Sequence, residues 1–202
     1  FNKKSFTTGH TGFGIPFIMN PDRSDVPRSA ARALRYIDRY VTVNQGEVFY
    51  MTEALSVLEG IERGPAGNTS LAAAFSLAQD LPEDKIIIVQ ETEYTSAGKH
   101  HQAQLAFARD NGICIYFGDP KDEIPGRSIV FPDNVSLIKA HDLDLEEIKE
   151  KYVKNHVKGL SKISQNDLEF LAIETNTSVD FVKNIINKEK IMALFITFNC
   201  FL

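Results

Sequence analysis

The sequence predicts an α/β fold built on a parallel sheet, and three observations carry that expectation. Residues 85–90 and 113–117 are apolar runs without in–out alternation, as in strands covered on both faces. Residues 98–109 between them have the length and spacing of a crossover helix, which makes the two runs neighbouring parallel strands of one βαβ unit. The composition of the 202-residue chain, 43% hydrophobic and 24% charged, is that of a globular domain able to build a core. Wholesale disorder, collagen-like repeats and coiled coils do not fit it.

In chain order, residues 25–40 place Ala30, Ala31, Leu34 and Ile37 at helical spacing, with Pro27 tolerated in the first turn. A short strand at 40–43 follows. Asn44 then precedes Glu47 by three residues, a variant of the capping box, and Val48, Met51, Leu55 and Leu58 mark one helix face. Gly60 is its natural stop. Beyond the turn at 64–68, Thr69 opens a helix to about Gln79, whose Ala72, Ala73 and Ala74 suit close packing on a sheet. Gly112 ends the helix at 98–109. From Lys121 the character changes, and Pro125, Gly126 and Pro132 mark a surface loop. Residues 142–157 read as a charged amphipathic helix. Two short helices, 165–174 and 178–188, flank Thr175, Asn176 and Thr177, and a boundary is expected near Gly159. The division implied is 1–157, a small helical appendage at 158–190 and an apolar tail at 191–202.

Twenty-two basic and 27 acidic residues leave a net charge of −5, so nothing general directs the chain to nucleic acid or to anionic membranes. The helix pair near the C-terminus could suggest a helix-turn-helix reader, but five Lys are balanced by Asp167, Glu169, Glu174, Asp180 and Glu189. Packing on another subunit suits it better. Cys114 and Cys200 are too few for a disulfide framework and lack zinc spacing, which points to a reducing, cytoplasmic setting. The apolar tail falls short of the roughly 20 residues that a membrane span needs. The chain opens at Phe1, without initiator Met or secretory run, and is expected to be a piece of something longer.

Three constellations could carry chemistry. In residues 9–14, Gly9, Gly12 and Gly14 allow close approach of a ligand, with His10 beside them, but the spacing is not the dinucleotide fingerprint and an ordinary loop is the simpler account. In residues 64–70, free N–H groups at a helix start favour an anion or a polar ring substituent; equally, Asn68 could cap the helix while Gly64 and Gly67 supply the turn. Residues 91–101 follow an expected strand, where α/β proteins place ligands. Thr92 and Thr95 are the better functional candidates there, and His100 and His101 are expected on an exposed helix surface. No metal site is expected: adjacent helical histidines diverge by about 100°, with no further ligand at i+4.

Several segments carry a resemblance. Residues 40–43, the helix ending at Ile61, Gly64-Pro65-Ala66-Gly67 with its Ala-rich helix, and residues 85–90 resemble, in that order, the carboxyl-terminal half of fold-type II pyridoxal-phosphate enzymes such as threonine synthase, threonine dehydratase, cysteine synthase and tryptophan synthase beta. Residues 5–17, 21–31, 45–50, 62–69, 90–95 and 97–100 are similar to one branch, the beta subunits of 2-amino-4-ketopentanoate thiolases of anaerobic ornithine breakdown. The resemblance implies a cytoplasmic, oligomeric acyltransferase that converts 2-amino-4-oxopentanoate and coenzyme A to acetyl-CoA and alanine. It also implies a small alpha subunit as partner and pyridoxal 5′-phosphate as cofactor.

By position, the residue meeting the cofactor's ring nitrogen is Glu91 or Thr92, residue type favouring Thr92, with Gly67 and Asn68 also on the cofactor. His10, Gly12 and Thr95 are substrate-side candidates. The Schiff-base lysine and the phosphate loop are expected outside this chain, Lys99 being in the wrong place, so the chain alone is expected to be inactive. The competing expectations are another fold-type II lyase or synthase and a non-catalytic interaction module.

Overall fold

The computed structural model describes residues 34–91, 101–160 and 162–199, with side chains through Glu189 and at Ile191. The segment at 9–14 with His10 and Gly12, most of the helix expected from residue 25, and Thr92, Thr95 and His100 lie outside these residues. The chain divides into two compact units. Of the described residues, Val41–Asp142 form the first, and residues 34–40 with 143–199 form the second.

The first unit is mixed α/β. Strand β1 (Val41–Thr42) pairs antiparallel with β4 (His141–Asp142). Helix α1 (Gln45–Glu59) starts at the anticipated capping box, where the Asn44 N–H donates to Glu47 at 2.6 Å, and it ends at Gly60 with φ 66°. Its first turns bury Val48, Phe49, Met51 and Thr52, whereas Leu58, expected on the same face, is 77% exposed because the second half of the helix runs past the body it packs on. Helix α2 (Thr69–Ala78) falls where anticipated, but Ala72 packs with Val48, Met51 and Ile138 rather than on a sheet. The small residues serve a helix–helix approach.

The parallel pair differs from the one anticipated. Strand β2 (Cys114–Gly118) forms, following helix α3 (His101–Asp110) and Gly112 at φ 75°, but its partner is β3 (Ser128–Pro132), in register from Cys114 opposite Ser128 to Gly118 opposite Pro132. The turn residues Pro125 and Gly126 concealed β3 in the sequence, and Pro132 is admitted because, among the described residues, β3 is an edge strand of a two-stranded sheet. Residues 85–90 form no strand; Ile86 and Ile88 are 90% and 93% exposed. Branched side chains favour a strand only where a neighbour supplies the ladder. β2 is itself half exposed, at Tyr116 and Phe117, while Ile129 and Val130 of β3 are fully buried. Phe49 of α1 stacks on Phe131 at 6.2 Å between ring centroids and, with Ala108, Ile113 and Ile129, forms the core of this layer.

Glu123, in the link from β2 to β3, fixes α1 to β3. Its carboxylate accepts the Gln45 and Gly46 N–H groups, at 3.1 and 3.0 Å, and the Val130 N–H at 3.3 Å. An anionic acceptor at a helix start satisfies donors that have no intrahelical partner. Glu47 also accepts the Lys139 N–H at 2.8 Å, tying the strand end near β4 to the same helix start.

The second unit is helical. Helix α4 (Leu145–Val157) is capped by Asp144, which accepts the Glu147 N–H, and α5 (Gln165–Glu174) by a Ser164–Asp167 capping box. Helix α6 (Val179–Asn199) continues through most of what the sequence suggested was a separate apolar tail. Ile148, Tyr152, Val153, Leu171, Val182, Ile185 and Ile186 form its core, joined by Leu34 and Tyr40. Residues 36–40, expected to end a helix, are not helical. α4 packs with α5 and α6, so the change of packing partner falls at Leu143, ahead of the break that turn chemistry suggested near Gly159.

Candidate functional site

Three of the residues singled out in the sequence, Gly67, Asn68 and Glu91, meet at one corner of the first unit. The turn at residues 64–68 carries the chain from α1 to α2; Gly64, Pro65, Gly67 and Asn68 are buried. Its backbone is closed by the Asn68 N–H to Gly64 carbonyl bond at 3.3 Å and the Thr69 N–H to Ala66 carbonyl bond at 3.4 Å. The Ser70 hydroxyl lies 3.0 Å from the Gly67 carbonyl and 2.9 Å from that of Gln90, which holds the end of the 85–90 segment against the turn.

Asn68 stands at the N-cap of α2, yet its side chain makes no cap bond. It is fully buried and reaches α1, where its carboxamide oxygen accepts from the Thr52 hydroxyl at 3.0 Å; that hydroxyl also lies 2.7 Å from the Val48 carbonyl. The carboxamide nitrogen donates to Glu91, 3.0 and 3.2 Å from its two carboxyl oxygens. Burial pushes the Glu91 carboxyl above the ordinary carboxylate range, and the nearby Arg63 pulls it back in part. A half-buried acid held by a buried amide can retain a proton, donate a hydrogen bond, or meet a cation.

Of the anticipated site residues, Gly67, Asn68 and Glu91 are therefore together, and His10, Gly12, Thr92 and Thr95 lie outside the described residues. Asn68 faces other side chains, and its contribution is to place Glu91. Sequence reasoning missed Thr52, Arg63 and Ser70. Thr52 carried a readable signal, since it follows Val48 by four and so lies on the buried face of α1. His101 corrects another expectation: its side chain is 14% exposed and its ring nitrogen Nε2 meets the carboxylate of Glu53 of α1, the residue next to Thr52. A charge partner on another helix lay beyond local periodicity.

Among the described residues, no helix is long and apolar enough to cross a membrane. No family model and no solved structure matches the chain. Curated relatives do: the chain is 61% identical over 192 residues to the 2-amino-4-ketopentanoate thiolase beta subunit of Acetoanaerobium sticklandii, covering 94% of this chain and 41% of that protein. A beta subunit of the same name from an unidentified prokaryote is 59% identical over 188 residues, covering 92% and 40%. The chain thus spans about two fifths of the length of the curated relatives it matches, and it is to beta subunits of 2-amino-4-ketopentanoate thiolase that it is similar.

Proposed function

We propose that this chain is part of the beta subunit of a pyridoxal-phosphate-dependent thiolase that converts 2-amino-4-oxopentanoate and coenzyme A to acetyl-CoA and alanine. The observation that carries the reading is the 61% identity to a protein of that name over nearly the whole chain. A small alpha subunit is its proposed partner. When bound, pyridoxal 5′-phosphate supplies an electron sink beside the carbons of an amino acid, the property that cleavage of a carbon–carbon bond by a thiolate requires.

The polar groups at the corner fit one edge of that cofactor. Within the Thr52, Asn68 and Glu91 chain, Thr52 and Asn68 use their hydrogen-bonding groups on protein partners, and the Glu91 carboxyl is the group with capacity left for a polar ring atom. Gly64 and Gly67 carry no Cβ to obstruct a ring beside it. Glu91 would hold the ring and set its protonation, and Ser70 would keep the turn closed against residue 90. The lysine that carries the cofactor and the loop that holds its phosphate are assigned in this reading to the part of the longer relatives that the chain does not span.

The test uses the full-length protein with its alpha subunit, following acetyl-CoA and alanine from 2-amino-4-oxopentanoate and coenzyme A. Turnover should require pyridoxal 5′-phosphate, and Glu91→Ala should lower it more than tenfold while leaving the far-ultraviolet circular dichroism unchanged. Full turnover after removal of the cofactor would refute the reading.

A further inference from the structure

We infer that the face of residues 85–90 bearing Ile86 and Ile88 is a docking surface, and that its occupant is the part of the beta-subunit polypeptide that this chain does not span. The inference rests on the reading of this chain as part of a longer beta subunit.

Four branched apolar residues in a row, Ile86, Ile87, Ile88 and Val89, call for cover on two faces. The first unit supplies one. Burial alternates along the segment: Ile87 and Val89 are half-buried, while Ile86 and Ile88 are almost fully exposed, the period of two of a strand with a single covered face. The segment is nonetheless fixed at both ends. The Lys85 N–H donates to the Pro82 carbonyl at 3.0 Å where the chain enters it, and the Ser70 hydroxyl holds the Gln90 carbonyl at 2.9 Å where the chain leaves. Between these anchors, no backbone group of residues 86–89 is hydrogen-bonded to a described residue. A segment in this state offers a partner an apolar face and a free row of N–H and C=O groups together.

Length, permanence and position select the occupant. About three fifths of each curated relative lies outside its match to this chain, so more of the polypeptide is available to cover the face than the chain itself contains. Residues 86–89 carry no charge and favour strands, a composition that aggregates when left open. A cover in the same polypeptide is present from folding onward, whereas an alpha subunit or a second copy can dissociate and leave the face bare. Glu91 follows Ile88 by three residues, no more than about 11 Å along the chain, so a body seated on Ile88 borders the candidate site.

The experiment uses the full-length beta subunit, purified without its alpha subunit and with no cofactor added. In Ile86→Cys and Ile88→Cys, maleimide alkylation at the new thiol, read by mass spectrometry, should be slowed about tenfold or more relative to the urea-unfolded protein, and dilution should not change it. In Ile88→Met, expressed with a photo-reactive methionine analogue, the cross-link from position 88 should map to a peptide outside these 202 residues. Hydrogen exchange of the amides of residues 86–89 in the wild type should be slow, and fast exchange there would overturn the inference even where the cysteine variants fail to fold. Thiols that are slowed only once the alpha subunit is added, or only at high protein concentration, would overturn it in favour of that subunit or of a second copy. Thiols that react as fast as in urea, or cross-links confined to these 202 residues, would overturn it outright. None of these measurements reads the chemistry: turnover without pyridoxal 5′-phosphate would refute the cofactor reading and leave the docking surface standing, and open thiols with cofactor-dependent turnover would do the reverse.

Discussion

Replacing Gly46 with Ala sets helix propensity against tertiary packing with opposite signs. Gly46 lies inside α1, where Ala would ordinarily stabilise by about 1 kcal/mol. An added Cβ would sit 1.7 Å from the Val130 oxygen, 2.3 Å from the Val130 carbonyl carbon and 2.9 Å from the Phe131 nitrogen, all of them backbone atoms. Ordinary contact begins at 3.4 Å, so the start of α1 would have to withdraw from β3 by more than an ångström. That withdrawal takes the Gln45 and Gly46 N–H groups away from Glu123, which now holds them at 3.1 and 3.0 Å. Hydrogen bonds to a charged group contribute about 1.5–3 kcal/mol each, so losing two of them outweighs the propensity gain. The expected net loss is about 2–5 kcal/mol. Urea unfolding followed by far-ultraviolet circular dichroism measures it. A Gly46→Ala variant as stable as the parent would refute the close approach of α1 to β3.

Other perturbations test the remaining links. Burial raises the carboxyls of Glu123 and Glu47 above their ordinary 4.5, Glu47 despite its bonds from the Lys139 and Asn44 N–H groups, so each binds its proton more tightly folded than unfolded. Their contribution is therefore complete below pH 4.5 and is lost as pH rises through the raised values. The difference in urea midpoint between the parent and Glu123→Gln should change with that sign from pH 4.5 to 7, and a difference flat with pH would count against the burial argument. Phe49→Ala, which empties the centre of the α1–β3 layer, should cost about 3–5 kcal/mol by the same unfolding assay. Ile88→Thr should change the stability of the 202-residue chain by less than about 0.5 kcal/mol, since the side chain is 93% exposed, and a loss above 2 would mean that residues 85–90 are covered. Leu171→Ala should cost about 2–5 kcal/mol in the helical unit, read from hydrogen exchange in α4 and α6.

Local signals were legible wherever the residues that decide an element lie within a turn of one another. Asn44 with Glu47, Gly60 and Gly112 set helix bounds through caps and a left-handed backbone, and those bounds appear where the sequence put them. The candidate site was legible in part. Gly67, Asn68 and Glu91 were marked by turn chemistry, position and family resemblance, but Thr52 reaches them across the α1–α2 packing, and His101 looked like a surface residue until Glu53 was placed opposite it.

By itself, the sequence determined the composition of a globular α/β chain, the places where helices begin and end, and a kinship that curated relatives share at about 60% identity. Only the tertiary structure decided which strands pair. Val and Ile report a wish for burial without naming a partner, so residues 85–90 stay unpaired and exposed while 128–132, hidden behind Pro and Gly, forms the parallel neighbour of 114–118. It also decided the role of Asn68, because an amide that could cap its own helix finds a buried hydroxyl and a carboxyl closer to hand. Caps and turns act over a few residues of chain, whereas strand pairing and side-chain networks are settled by packing between segments far apart in sequence.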